Sequence, residues 1–395
     1  MMGKLLNEKV KGIKPSGIRK FFDIAAQMED VISLGIGEPD FPTPASVRQA
    51  GILSIEEKGT SYTSNIGLLE LRQAICKYLR RFFLDYDPEK ETLVTVGASE
   101  AVDLALRAVV APGDEVLIPE PTYVSYAPAA VLAGGKAVAV PTYEHDDFRL
   151  TAGTIQEKIT PATKAIVFCY PNNPTGAVME KEDLQEIAEV LRRRDLLIIS
   201  DEVYAELVYG VEHTSIASLP GMAERTVTIG GFSKAFAMTG WRLGYACGPE
   251  VLIAAMKKIH QYVIMCAPTM SQWAALEALE NGFPQVQAMV AEYDQRRQII
   301  VEGFRKMGLS CFEPRGAFYC FPRISDLNLS SEDFCTQLLA AEKVAVVPGS
   351  AFGESGEGFI RCSYAYSKES IEEALRRINR FIQKTGPGKK KVCLG

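Results

Sequence analysis

The stretch Ile229-Gly230-Gly231-Phe232-Ser233-Lys234-Ala235-Phe236-Ala237-Met238-Thr239-Gly240-Trp241-Arg242-Leu243-Gly244 sets one lysine among apolar residues and glycines, and its ends read as strands. The runs Thr226 to Ile229 and Arg242 to Ala246 stand too close together for a helical crossover, so the second is expected to return antiparallel. Phe232, Phe236, Met238 and Trp241 would desolvate the Lys234 ammonium, and desolvation lowers a lysine pKa towards the range where the free amine is a nucleophile. Gly230, Gly231, Gly240 and Gly244 let backbone approach a ligand, and Arg242 offers a planar fork suited to a phosphate. Alone, the stretch fits a solvated loop lysine beside a packing tryptophan better, that being the commoner use of a lysine.

Working outward, five further β-branched runs alternate with helix-length segments: Thr92 to Val96, Glu115 to Ile118, Lys136 to Val140, Lys164 to Phe168 and Leu196 to Ser200. That alternation marks parallel strands joined by crossover helices. The expected fold is α/β, with one seven-stranded, mostly parallel sheet sandwiched by helices. Ligands of such sheets sit at the carboxyl ends of the strands, which singles out the residues following each run.

Asp201 follows Leu196 to Ser200 directly, where a carboxylate serves either as a helix N-cap or as the partner of a cation deep in a site, and Tyr204 stands close enough to join it. Tyr170-Pro171-Asn172-Asn173-Pro174-Thr175-Gly176 is a turn by composition, yet it also sets the Asn173 amide at a strand end. Gly97-Ala98-Ser99-Glu100-Ala101 opens a helix, as an ordinary acidic N-terminus or as an anion site of free N–H groups and the Ser99 hydroxyl. Tyr123 either stacks on a flat heterocycle or packs at a rim. Arg361 lies in the apolar run Gly358 to Ser363 and needs a carboxylate, internal or from a substrate.

The net charge of -6 argues against a nucleic-acid surface, and Lys389-Lys390-Lys391 reads as a solvated tail. Neither G-x-G-x-x-G nor a Walker lysine motif occurs, so any bound phosphate belongs to a smaller ligand. Nine cysteines without a C-x-x-C pair suit reduced thiols in a cytoplasmic protein. Three scattered histidines give no zinc site, and no apolar run reaches the roughly 18 residues of a membrane span. Beyond Pro268 the pattern changes to helices at Met270 to Asn281, Pro284 to Met307, Ser331 to Lys343 and Lys368 to Thr385, with short strands at Leu309 to Phe312, Gly316 to Phe321, Val344 to Val347 and Gly358 to Ser363. A further helical stretch is expected around Ile18 to Met28. We expect an N-terminal arm (1–45), a large domain (46–283), a linking helix with a small α+β domain (284–388) that the arm joins, and a basic tail (389–395).

In chain order, Gly97-Ala98-Ser99, Tyr123, Asn173-Pro174-Thr175-Gly176, Asp201 with Tyr204, Lys234 with Arg242, and Arg361 resemble the fold type I pyridoxal-phosphate aminotransferases of class I/II. The resemblance covers essentially the whole chain. Gly231-Phe232-Ser233-Lys234 with Gly240-Trp241-Arg242-Leu243-Gly244 is similar to that family's cofactor-attachment signature, and Asn173 to Gly176 and Asp201 to Tyr204 are similar to its companion motifs. It implies pyridoxal 5'-phosphate joined to Lys234 as a Schiff base. Once released, Lys234 would shuttle a proton between the substrate's α-carbon and the cofactor. It implies Asp201 at the pyridine nitrogen, Asn173 and Tyr204 at the ring oxygen, Tyr123 on the ring face, and Ala98, Ser99, Ser233 and Arg242 at the phosphate. Tyr62 would reach in from the other subunit of a homodimer, and Arg361, Asn173 and the backbone near Gly37 would bind the substrate's α-carboxylate. Many relatives carry a serine where this chain has Gly231, which shifts the phosphate onto Ser233 and Arg242.

The implied reaction transfers an amino group between an L-amino acid and a 2-oxo acid, with 2-oxoglutarate the expected acceptor. Ser16-Gly17-Ile18-Arg19-Lys20-Phe21 and Thr239 to Arg242 resemble bacterial aspartate, aromatic and N-acetyl-diaminopimelate aminotransferases, and no residue separates those substrates. A carbon–sulfur β-lyase of the same fold would share the lysine, aspartate and arginine. A pyridoxal-phosphate-sensing regulator would add a DNA-binding module, for which the roughly 35 residues before the first family-like run are too few.

Overall fold

The computed structural model describes residues 5–13, 28–57 and 59–385. Apart from Met28, the helix expected at Ile18 to Met28 lies outside the described residues, as does the basic tail. The described strands are β1 (Ile32–Ser33), β2 (Thr92–Thr95), β3 (Glu115–Glu120), β4 (Lys136–Pro141), β5 (Thr163–Cys169), β6 (Leu197–Asp201), β7 (Thr226–Gly231), β8 (Gly244–Cys247), β9 (Tyr319–Cys320), β10 (Val344–Ala345), β11 (Val347–Pro348) and β12 (Ile360–Ser363).

β2 to β8 form one seven-stranded sheet in the order β2-β8-β7-β6-β5-β3-β4. β7, β6, β5, β3 and β4 are mutually parallel, and β8 runs antiparallel to both its neighbours, as its short connection to β7 requires. β8 begins at Gly244 and not at Arg242. Arg242 has φ 51°, a left-handed conformation that closes the short turn Thr239–Trp241 and keeps it out of the ladder.

Strand side chains alternate between two cores, which follows from the two-residue period of a strand. On β5, Ala165, Val167 and Cys169 face the core shared with the helix Ala98–Val109, whereas Ile166 and Phe168 face the one shared with the helix Lys181–Arg192. Both faces are buried, hence the unbroken apolar runs in the sequence.

The remaining strands are shorter than expected. β1 pairs in parallel with β10, and β11, β12 and β9 form an antiparallel sheet. The run Val344 to Val347 is split at Val346, because β10 pairs with β1 while β11 turns to β12. Leu309 to Phe312 is not a strand: the Leu309 N–H bonds the Phe304 carbonyl and finishes the helix Phe283–Lys306. Leu34 continues β1 by donating to the Ala345 carbonyl and accepting from the Ser363 N–H, which carries the chain on to Gly35 and Gly37 beside the sheet's carboxyl ends.

Candidate active site

A cleft of about 330 Å³ opens at the carboxyl ends of β5, β6 and β7. Of the residues singled out from sequence, Gly37, Ala98, Ser99, Tyr123, Asn173, Asp201, Tyr204, Ser233, Lys234, Arg242 and Arg361 line it. Tyr62 does not, and its side chain is exposed.

Lys234 follows β7, and its Nζ donates to the Gly37 carbonyl at 2.6 Å. The rings nearest the amine are those of Tyr204 at 5.9 Å and Phe318 at 5.8 Å. Phe232, Phe236 and Met238, expected to desolvate it, are core residues. Trp241 packs against Gly51, where a Cβ would meet its ring at 2.7 Å. Burial lowers the Lys234 pKa to about 8, with the Arg361 cation acting in the same direction.

Asp201 ends β6 and is buried. The Tyr126 hydroxyl donates to its Oδ2 at 2.8 Å, and the Val203 N–H to its Oδ1 at 3.2 Å. The carboxylate therefore caps a turn, and no helix starts there. Burial raises its pKa to about 6, with the Tyr126 bond opposing part of that rise. No cation among the described residues pairs with this buried carboxylate, and a protonated ring nitrogen would supply one.

Arg361 is buried between the rings of Tyr319 and Phe352, with its guanidinium carbon 4.6 and 4.8 Å from their centroids. Its Nη1 donates to Asn173 Oδ1 at 2.9 Å and its Nη2 to the Gly35 carbonyl, while its Nε has no partner among the described residues. No carboxylate among the described residues pairs with it, so the internal ion pair left open by the sequence is absent there. With its oxygen committed to Arg361, Asn173 keeps its N–H groups to donate.

The helix Ala98–Val109 starts at Gly97 without a side-chain cap. Glu100 reaches back to accept from the Val96 N–H, just ahead of that end, and bonds His260 at 2.8 Å. Gly97 has φ 81°, and a Cβ there would stand 2.7 Å from Arg242 Nη2. A Cβ on Gly244 would stand 2.6 Å from the Ala98 nitrogen. Two glycines thus let a guanidinium and an uncapped helix N-terminus lie against one another, a cradle for a dianion. Gly231 does not line the cleft, and a Cβ there would meet nothing closer than 3.5 Å. The cradle's hydroxyls are Ser99 and Ser233.

Sequence reasoning passed over Tyr126, Tyr319, Glu38 and Thr239, all of which line the cleft. Tyr126 stands three residues after Tyr123, and their rings meet edge-on at 5.6 Å. Tyr319 lay hidden in a run read as an apolar strand. A phenol in such a run was the available signal, since a buried hydroxyl needs a partner.

The cradle, the buried carboxylate without a cation and the desolvated lysine fit the phosphate, ring nitrogen and aldehyde carbon of pyridoxal phosphate. Residues 29–378 match the family model for aminotransferase class I and II. The chain is 57% identical over 385 residues to YugH of Bacillus subtilis (strain 168), provisionally named an aminotransferase, covering 97% of this chain and 100% of that one. It is 49% identical over 382 residues to the aspartate aminotransferase of Pyrococcus abyssi, covering 96% and 98% of the two chains. The crystal structure of an aromatic aminotransferase from Pyrococcus horikoshii OT3 superposes with a TM-score of 0.89 at 47% identity, over 93% of this chain and 98% of that one. With site geometry and likeness in agreement over nearly its full length, the chain belongs to the class I and II aminotransferases and is a pyridoxal-phosphate-dependent transaminase.

Proposed function

We propose that the enzyme passes the amino group of an L-amino acid to 2-oxoglutarate in two half-transfers, as a cytoplasmic homodimer in which Tyr62 completes the partner's site. The observation that carries this reading is that Lys234, half-buried, and Asp201 and Arg361, both buried, converge on one cleft with no ion-pair partner for any of them among the described residues. Bound pyridoxal phosphate supplies an electron sink that makes the substrate's α-proton acidic. The segment 46–283 carries Lys234 and the cradle, while the small domain, built from 1–45 and 284–388, carries Arg361. Substrate then spans the two.

Arg361 and the Asn173 amide bind the α-carboxylate and fix the substrate's orientation. Lys234, lowered to about 8 by burial, is a free amine in a useful fraction near neutral pH and in the majority only above pH 8, so once released it can take the α-proton and return it. With the cofactor bound, Asp201 would hold a proton on the ring nitrogen, Tyr204 and Asn173 would donate to the ring oxygen, and Tyr123 would cover the ring face. Ala98, Ser99, Ser233 and Arg242 anchor the phosphate.

Among the described lining residues the cations are Lys234, Arg242 and Arg361, all engaged by this scheme. The donor is therefore best found by titrating the holoenzyme with a panel of amino acids and following visible absorbance. Acidic and aromatic donors, each with 2-oxoglutarate, test the reading directly. If no donor turns over with any 2-oxo acid while cystathionine yields pyruvate and ammonia without one, the transaminase reading is lost.

Arg242→Ala is expected to weaken cofactor retention about 10- to 100-fold, the loss of a charge-assisted contact to phosphate. Equilibrium dialysis against pyridoxal phosphate measures this, and an unchanged Kd would remove Arg242 from the cradle. Arg361→Lys should raise the KM for amino acid roughly 10- to 100-fold, because one ammonium cannot replace the planar fork. A smaller fall in kcat should accompany it, and a KM within twofold of the parent would argue against Arg361 as the carboxylate anchor.

A further inference from the structure

We propose that Tyr319 is a positioning residue that sets the Tyr204 hydroxyl as a donor to the cofactor and holds the Arg361 fork for the substrate carboxylate. The inference rests on the roles given above to Tyr204 and Arg361. Tyr319 is 1% exposed, and its hydroxyl oxygen lies 2.8 Å from that of Tyr204. The two rings meet edge-on, with centroids 5.9 Å apart and planes at 79°. Its ring is also the face over which Arg361 lies at 4.6 Å, and antiparallel pairing of β9 with β12 fixes the backbones of both residues.

A third contact joins these. A Cβ on Gly37 would fall 2.3 Å from the Tyr319 hydroxyl, so only glycine admits the phenol, and the Gly37 carbonyl is the acceptor that holds Lys234. One side chain therefore touches the phenol at the ring oxygen, the guanidinium at the carboxylate and the residue that holds the lysine.

Within a Tyr–Tyr pair either hydroxyl can donate, and the cofactor decides. A bond from Tyr204 to an anionic ring oxygen is charge-assisted and outcompetes a neutral one. Tyr204 then has lone pairs left to accept, and Tyr319 becomes the donor. Two hydrogen bonds in series polarise one another, so Tyr319 strengthens Tyr204 as a donor. A stronger donor to that oxygen favours loss of the proton from the neighbouring lysine nitrogen. Removing the Tyr319 hydroxyl should raise the pH at which that proton leaves.

The test uses the holoenzyme and two readouts that do not depend on turnover: the pH midpoint of its visible absorbance, and the Kd for maleate, a carboxylate with no amino group to give. Tyr319→Phe keeps the ring under Arg361 and drops only the hydroxyl. It should raise the midpoint by roughly half a unit to one unit and leave maleate binding within about twofold. Tyr319→Leu should raise the midpoint similarly and weaken maleate binding roughly three- to thirty-fold, through loss of the cation–π face. The double variant Tyr204→Phe, Tyr319→Phe should match Tyr204→Phe alone, because Tyr319 acts through Tyr204.

If Tyr204→Phe moves the midpoint and Tyr319→Phe does not, the proposal fails while the role of Tyr204 stands. A midpoint unmoved by Tyr204→Phe removes the role of Tyr204 and the proposal together. Equal weakening of maleate by Phe and Leu overturns the assignment of the ring to Arg361.

Discussion

Lys234→Ala is expected to lower transamination by at least about 10⁴-fold, since it removes the residue assigned both the covalent attachment and the proton transfer. The variant should still bind pyridoxal phosphate by the cradle of Ala98, Ser99, Ser233 and Arg242, so dialysis would show cofactor retained without the linkage. Small primary amines should restore part of the rate, because the missing group is an amine with room around it. Activity above about one per cent of the parent would assign the proton transfer elsewhere. In the apoprotein, a small amine-selective reagent should modify Lys234 with a midpoint near pH 8, well below the 10.5 of an ordinary lysine.

Asp201→Asn should lower activity by about 10³-fold, because a neutral amide cannot hold a proton on the ring nitrogen. The same change should make the apoprotein more stable at pH 8. Burial raises the Asp201 pKa from 3.8 to about 6, so above pH 6 the folded apoprotein carries a desolvated charge that costs about 3 kcal/mol. Between pH 6 and 3.8 the folded chain binds the proton while the unfolded chain does not, and that cost disappears as the pH falls. The variant's advantage in urea midpoint should therefore be largest at pH 8 and vanish near pH 4. Asparagine can keep both neighbours, accepting from the Val203 N–H and donating to the Tyr126 oxygen. Equal stability of variant and parent at pH 8 would show that the carboxylate is not strained in the apoprotein.

The large sheet was legible because its strands other than the edge strand β4 are largely buried on both faces and are written as short apolar runs. The antiparallel turn of β8 followed from the short distance between Gly231 and Gly244. The small sheets were read less well: β9, β10 and β11 have two residues each, too short for a period to show. Among the site residues, Asp201 ends a strand and Asn173 and Lys234 follow strands within four residues, where position itself is a signal. Tyr126 and Tyr319 act through contacts with Asp201, Tyr204 and Arg361 that only folding brings together. The lysine's desolvation was foreseen, but its source was not, since Tyr204 and Phe318 come from elsewhere in the chain.

The passage of the chain from β1 to Gly37 has a kinetic side. Arg361 bonds the carbonyl of Gly35, 326 residues earlier, and Lys234 that of Gly37, 197 residues earlier. Contacts of such sequence separation close late, after local helices and neighbouring strands have formed. On the ribosome, the sheet with Lys234 and the cradle emerges well before Arg361 does. On the roles proposed above, the residues that would hold the cofactor are therefore made before the arginine that would hold the substrate.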